Sequence, residues 1–270
     1  MSDKFVGKFI DLSDARQVSY NMFNYNNRKI FIKRNSGNCE ALISEAIAKM
    51  LDINSLHYEI AYFRGELVLF SEKFYRDDEQ FIFGENLLRE YRNSFLEESN
   101  SNVPLNKLNN LTDIWGALEF KFGSEYSIDA KIVLNDIIKM FCLDLLLNKN
   151  DRHDLNWGII QSDNHIRLAP IYDTESVEND RCILISTDSK TNISTSEILQ
   201  EFLNTSDSYW KDIFYTMFDM LTVSRYEEIL KNVEISKEIK FKDKEMLIEA
   251  YKNHRSELET IIENCRCKKM

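Results

Sequence analysis

The sequence predicts a bilobal α+β chain: a strand-rich first lobe with one helix, then a mainly helical second lobe. Three observations carry this. Short runs of β-branched and aromatic residues, broken by Asn-rich turn signals, fill the chain up to Arg76. Beyond Arg76 the apolar residues recur at helical spacing. A hydrophobic content of 43% with only 7 Gly and 2 Pro in 270 residues leaves no room for a linker or a low-complexity tract, so the chain folds throughout. The expected division is a first lobe over 1–76, an antiparallel sheet plus one helix, and a second over 77–270.

In the first lobe, residues 5–12, 17–23 and 29–33 read as strands. Over 38–52 the positions Leu42, Ile43, Ala46, Ile47, Met50 and Leu51 share one helical face, with Asn38 placed as cap. Residues 57–63 and 66–70 form a hairpin around Arg64-Gly65, the Gly supplying the turn. In the second lobe, 114–120 is a short helix. Residues 130–147 form a long one that is apolar on most of its surface, with Val133, Ile137, Phe141 and Leu145 along one stripe, so it is buried. A small hairpin over 157–160 and 165–168 precedes four amphipathic helices near 195–203, 209–221, 226–233 and 243–262.

Composition excludes several function classes. Thirty-four Lys and Arg against 45 Asp and Glu give a net charge of -11, which disfavours general binding to nucleic acid or to an anionic membrane. The most apolar stretch, 137–147, carries Lys139 and Asp144 and is too short to span a bilayer. No N-terminal apolar run resembles a signal peptide, and the five scattered cysteines fit a reducing compartment. The expectation is a cytoplasmic protein, or an effector exported without such a signal.

The chemistry concentrates in one polar stretch, 148–158, between the buried helix and the small hairpin. Asp151 and Asn156 are five residues apart, the spacing that kinase-type phosphoryl-transfer enzymes use for a carboxylate that orients the attacking hydroxyl and an amide oxygen that ligates a metal. After the hairpin, the run Leu168-Ala169-Pro170-Ile171-Tyr172-Asp173 puts a second carboxylate at a strand end, suited to magnesium bridging phosphates. Lys33 ends an apolar strand and the next helix carries Glu45, a pair able to set a lysine against nucleotide phosphates. Glu40 is the alternative partner, but a carboxylate in the first turn is already explained by the helix dipole.

These residues resemble the HipA-like serine/threonine kinases, including the short CtkA-type members, and more distantly the phosphatidylinositol kinases. The resemblance rests on Asp151-Arg152-His153-Asp154-Leu155-Asn156, the run ending in Asp173, and the segment 67–76, which is similar to the family's hinge. It implies a protein-kinase-like fold, ATP and Mg2+ as cofactors, and transfer to a Ser or Thr of a protein substrate. It further implies that the backbone at Glu72 and Phe74 holds adenine, and that His153 shapes the catalytic loop and approaches the phosphates. Lys33, Asn156 and Asp173 would complete the cofactor site, the last two as metal ligands. An antitoxin or other regulatory protein is the implied partner, with no direct nucleic-acid or membrane contact. The chain departs from the family in having no Gly between Gly7 and Gly37, where a phosphate-covering loop is expected; residues 18–28 stand there instead. That departure motivates the alternative of a pseudokinase or regulatory nucleotide-binding module. A small-molecule or lipid-headgroup kinase is the other alternative.

Overall fold

The computed structural model describes residues 4–6, 9–19, 22–33, 40–99, 111–149, 152, 154–172, 195–237, 239, 241 and 243–267. Seven strands lie in the first part of the chain: β1 (Lys4–Val6), β2 (Phe9–Asp11), β3 (Arg16–Ser19), β4 (Met22–Tyr25), β5 (Arg28–Lys33), then, after helix α1 (Glu40–Met50), β6 (Glu59–Phe63) and β7 (Glu66–Glu72). They form one sheet in the order β1-β2-β6-β7-β5-β4-β3. Two tight turns set its register. Asn26 and Asn27 (φ 48° and 62°) join β4 to β5, and Arg64 and Gly65 (φ 54° and 85°) join β6 to β7. Positive φ at both central residues matches the right-handed twist of the flanking strands.

Three sequence expectations need correction here. Residues 5–12 are not one strand, since β1 and β2 pair antiparallel with Phe5 opposite Ile10. Residues 17–23 are not one strand: β3 and β4 are a hairpin, with Arg16 opposite Asn24 and Gln17 opposite Phe23. All of β3 is exposed whereas Phe23 is buried, so a single straight ladder does not suit the segment. The sheet is also not wholly antiparallel, because β2 runs parallel to β6, with Ile10 opposite Ala61. Asn38, the expected cap of α1, lies outside the described residues.

Beyond the sheet come β8 (Gln80–Phe83), α2 (Gly84–Ser99), α3 (Leu111–Phe122), α4 (Ser127–Leu146), β9 (Gly158–Gln161), β10 (Ile166–Leu168), α5 (Thr195–Thr205), α6 (Ser208–Met220), α7 (Val223–Ser236) and α8 (Lys244–Cys267). The strands β10, β9 and β8 make a second, antiparallel sheet. Neither β8 nor α2 is among the elements expected from the sequence. Their join needs a residue without a side chain, since a Cβ on Gly84 would collide with the ring of Trp157, whose carbonyl accepts the Gly84 N–H at 3.0 Å.

The apolar side chains separate into two cores. Leu12, Phe23, Ile30, Ile32, Ala61, Phe63, Val68 and Phe70 fill one, drawn entirely from the large sheet and its turns. The other surrounds α4, whose Val133, Ile137, Ile138 and Phe141 are fully buried, and it takes in α1 and Leu69. Strand alternation explains the split: on β7, Val68 and Phe70 face the small core while Leu69 faces the large one. Among the described residues no helix is long and apolar enough to cross a membrane.

One histidine is part of the large core. His254 of α8 is buried, and its Nε2 donates to the Leu145 carbonyl at 2.8 Å in the last turn of α4. Burial pushes its pKa down from the ordinary 6.5, only partly opposed by that bond. The folded state therefore resists a proton that the unfolded chain accepts, so the His254 contribution is intact above about pH 6.5 and declines as pH falls below it. Urea denaturation between pH 7.5 and 5 should show stability falling in the acid range, and His254→Gln should flatten that slope.

Candidate active site

The polar stretch begins where α4 ends. Asn148 adopts the left-handed conformation (φ 53°), and the helix closes with Lys149 N–H donating to the Asp144 carbonyl at 2.8 Å and Asn148 N–H to that of Leu145 at 3.3 Å. This is the Schellman arrangement, with Asn in the place usually taken by Gly. The Asn148 side-chain oxygen then accepts the Thr195 hydroxyl at 2.6 Å, and Lys149 pairs with Glu40 at the start of α1.

Arg152 organises the loop after this helix end. Only 2% exposed, it holds both carboxylate oxygens of Asp144, through Nε and Nη2, at 2.9 Å each. Its Nη1 donates to the Asn156 carbonyl at 2.9 Å and the Tyr172 carbonyl at 2.8 Å. One guanidinium thus ties the buried helix, the loop and the strand end that precedes Asp173. The same strand end is held from the other side: Ile171 N–H donates to the Asn54 carbonyl and Leu56 N–H to the Ile171 carbonyl, both at 2.9 Å.

Beside this junction lies a cleft of about 410 Å³, lined by Ser19, Met22, Phe31, Lys33, Leu56, Tyr58, Ser71, Phe74, Phe81 and Tyr172 among others. Its volume falls in the range of small-molecule sites, and its walls are mostly aromatic. Phe74 stacks on Phe31 and on Tyr172, with ring centroids 5.8 Å apart in both cases. Phe31 and Lys33 stand opposite Ser71 and Leu69 in the β5–β7 ladder, so these four share the face turned to the cleft and α1.

Residues 71–74 follow the last β6 pairing, Glu59 with Phe70. Lys73 N–H continues the ladder on the other side, to the Lys29 carbonyl at 2.9 Å. By alternation, the Glu72 carbonyl and Phe74 N–H turn to the side that β6 has left open. Lys29 and Lys73 both reach Asp77, at 2.8 and 2.6 Å, and those bonds bring its carboxyl down to about 2. The segment is therefore pinned at its far end. Glu79 anchors the next turn: the Arg76 backbone N–H first, then Arg167, hold its pKa down.

Of the residues singled out in the sequence, Lys33, Phe74 and Glu72 belong to this cleft or its open strand edge, and Asn156 is buried in the loop that Arg152 clamps. Asp151, His153 and Asp173 lie outside the described residues. Asn156 is a hard oxygen donor of the kind magnesium takes. Among the described residues there is no cluster of three His, Cys, Asp or Glu able to hold a metal.

The expected Lys33–Glu45 pair is not formed. Glu45 accepts the Tyr58 backbone N–H at 3.0 Å with one oxygen and meets His57 Nδ1 at 2.5 Å with the other. Helical periodicity gives the face on which Glu45 lies but not its neighbour, and the chain after α1 returns to present His57 and Tyr58 there. Two further residues of the site are absent from the sequence expectations. Asp144 is the lone acid in the last, apolar turns of α4, a visible signal for a buried partner; Ser71 carries no such signal.

No family model matches the chain, and no curated protein matches it. Solved structures do. The Helicobacter pylori proinflammatory kinase CtkA superposes with a TM-score of 0.69 at 17% identity, covering 97% of this chain and 100% of that one. The HipA of Shewanella oneidensis MR-1, solved with HipB and operator DNA, gives 0.55 at 15% identity, covering 93% of this chain and 65% of that one. The chain has the HipA-like kinase fold.

Two outcomes are expected of this HipA-like scaffold. Asp144→Asn removes the carboxylate that takes two bonds from the buried Arg152 guanidinium and should lower the free energy of unfolding by about 3–5 kcal/mol in urea, whereas replacing both partners, Asp144→Leu with Arg152→Met, should recover most of it. Glu45→Gln keeps an oxygen for the Tyr58 N–H and loses only the charge beside the exposed His57, so it should change stability by under about 1 kcal/mol. In a double-mutant cycle with Lys33→Ala the two stability changes should add within about 0.5 kcal/mol; a coupling above about 1 kcal/mol would reinstate Glu45 as the lysine's partner.

Proposed function

We propose that the protein is an ATP- and Mg2+-dependent kinase that transfers a phosphoryl group to a Ser or Thr of a protein substrate, its site lying where the lobes 1–76 and 77–270 meet. The observation that carries the reading is the Arg152 guanidinium, which binds the Asn156 and Tyr172 carbonyls together. Asp151 precedes Arg152 in the chain and Asp173 follows Tyr172. Both carboxylate-bearing segments are thereby tied to one point beside a cleft that contains Lys33.

The roles follow from the chemistry. Phosphoryl transfer is carried by positioning and charge stabilisation more than by covalent participation of the protein. The aromatic walls and the open edge at Glu72 and Phe74 would seat the base, and Lys33 would neutralise phosphate charge. Asp151 would orient the acceptor hydroxyl, with His153 shaping the loop. Asn156 and Asp173 would hold magnesium, whose contribution when bound is to offset charge on the phosphates. The β3–β4 hairpin, with Ser19 and Met22 on the cleft wall, stands where a phosphate-covering loop is needed, although it has no glycine. The neighbour from Shewanella is in a complex with HipB, which supports a regulatory protein partner here as well.

Incubation with radiolabelled ATP and Mg2+ should label protein, and Lys33→Ala, Asp151→Ala and Asp173→Ala should each reduce incorporation by about 100-fold or more. Equal labelling in wild type and all three variants would defeat the reading. Magnesium-dependent thermal stabilisation by ATP without turnover would point instead to the pseudokinase alternative.

A further inference from the structure

The Lys149 side chain is 8% exposed, and its ammonium pairs with Glu40, whose side chain is 27% exposed. A lysine is almost never buried without a counter-charge. The dipole of α1 accounts for an acid in its first turn, but it gives no reason for a lysine from another segment to be buried against that acid. The pair borders a small cavity of about 190 Å³ whose walls include Ile43, Leu147, Tyr226 and Tyr251. Apolar walls lower the local dielectric and strengthen the attraction.

Each partner is fixed to a different part of the site. The Lys149 backbone N–H closes α4 on the Asp144 carbonyl, and the Asp144 carboxylate holds Arg152. Lys149 stands two residues before Asp151, and Glu40 opens α1 seven residues after Lys33. The pair therefore joins the segment that follows the proposed phosphate lysine to the segment that precedes the proposed acceptor-orienting carboxylate. Neither Glu40 nor Lys149 lines the aromatic cleft.

We propose that Glu40 and Lys149 are positioning residues whose ion pair fixes α1 to the head of the 148–158 loop and so holds Lys33 and Asp151 at one spacing across the cleft. The effect on transfer rests on the kinase reading, whereas the tie between helix and loop does not. Chemistry that works by positioning loses about 100-fold in rate for a displacement of about 1 Å, so loss of the pair is read in the rate of transfer, with the base pocket left as it was.

The test compares the full chain as wild type, Glu40→Gln, Lys149→Met, Lys149→Arg and the double variant Glu40→Gln with Lys149→Met. Without nucleotide, amide hydrogen exchange at residues 44–46 and 147–149 should rise about tenfold in Glu40→Gln and in Lys149→Met, and stay near wild type in Lys149→Arg, which keeps the charge. Label transfer from ATP and Mg2+ to casein and to the chain itself is then followed well below each melting temperature. In the two single losses the rate at saturating ATP should fall about 10- to 100-fold, while the ATP concentration giving half that rate changes by under about threefold. Lys149→Arg should keep most of the wild-type rate. The double variant separates position from stability: with no uncompensated charge left in the interior, its melting temperature should return towards wild type while its rate stays low. A double variant that recovers its rate together with its melting temperature, or single variants that transfer as fast as wild type, would overturn the positioning role and leave the kinase reading intact. Unchanged exchange at both segments would overturn the tie itself. A wild-type protein that labels neither casein nor itself would overturn the kinase reading, and the exchange result would still decide the tie.

Discussion

The interaction on which the rest depends is the buried pair of Asp144 and Arg152. Removing two charges from water costs several kcal/mol each, and their attraction offsets that only when the geometry is good and the remaining donors are satisfied. Here the carboxylate takes two guanidinium bonds, and Nη1 reaches two backbone carbonyls from separate segments. As a source of stability such a pair is no better than a packed apolar pair. Its value is positional, because a planar fork of fixed angles allows only one arrangement of the helix end, the loop and the strand end. The polar backbone groups that the loop would otherwise bury unpaired are satisfied by the same group.

The helix end makes that clamp possible. Leu145 and Leu146 are fully buried, so α4 cannot shift along its axis without opening the large core. Its closure at Asn148 reverses the chain and brings Arg152 back to Asp144, eight residues earlier. His254 holds the Leu145 carbonyl from α8, and Lys149 reaches Glu40 on α1. The polar stretch is thus framed by three helices before it meets the cleft. Residues held in this way, Arg152 and Asn156 among them, lose little freedom when a ligand binds, as the positioning role proposed for the site requires.

The parts legible in the sequence are those in which one local pattern decides the outcome. The stripe of Val133, Ile137 and Phe141 marks α4, and Arg64-Gly65 marks a hairpin that the structure places between β6 and β7. Asn26 and Asn27 are visible as a turn, but the break between β3 and β4 is not, because aromatic and β-branched residues run through it. Parallel pairing of β2 with β6 depends on a return of the chain across some 50 residues, as the opposition of Ile10 and Ala61 shows, and no local pattern encodes it. At the candidate site, residue types and spacing single out Lys33 and Asn156, whereas Glu72 and Phe74 come only from the family resemblance. The partners are not legible in the same way, because Glu45 meets His57 through the path of the connection after α1.

The displacement of Glu45 from Lys33 carries its own structural logic. Glu45 fastens α1 to the start of β6 through Tyr58 and His57. Just before these residues, Leu56 donates to Ile171 and Asn54 accepts from it, so the segment after α1 is zipped to the strand that leads to Tyr172. Tyr172 in turn closes on Arg152 and stacks on Phe74 in the cleft. The helix therefore reaches the site through the backbone of residues 53–58, to which Glu45 is bound. A shift of α1 would be felt first at Tyr172, which is at once a wall of the cleft and the neighbour of Asp173. In this arrangement the aromatic cleft and the proposed metal-binding strand end are parts of one mechanical unit. The Arg152 clamp is where that unit is fixed to the helical lobe.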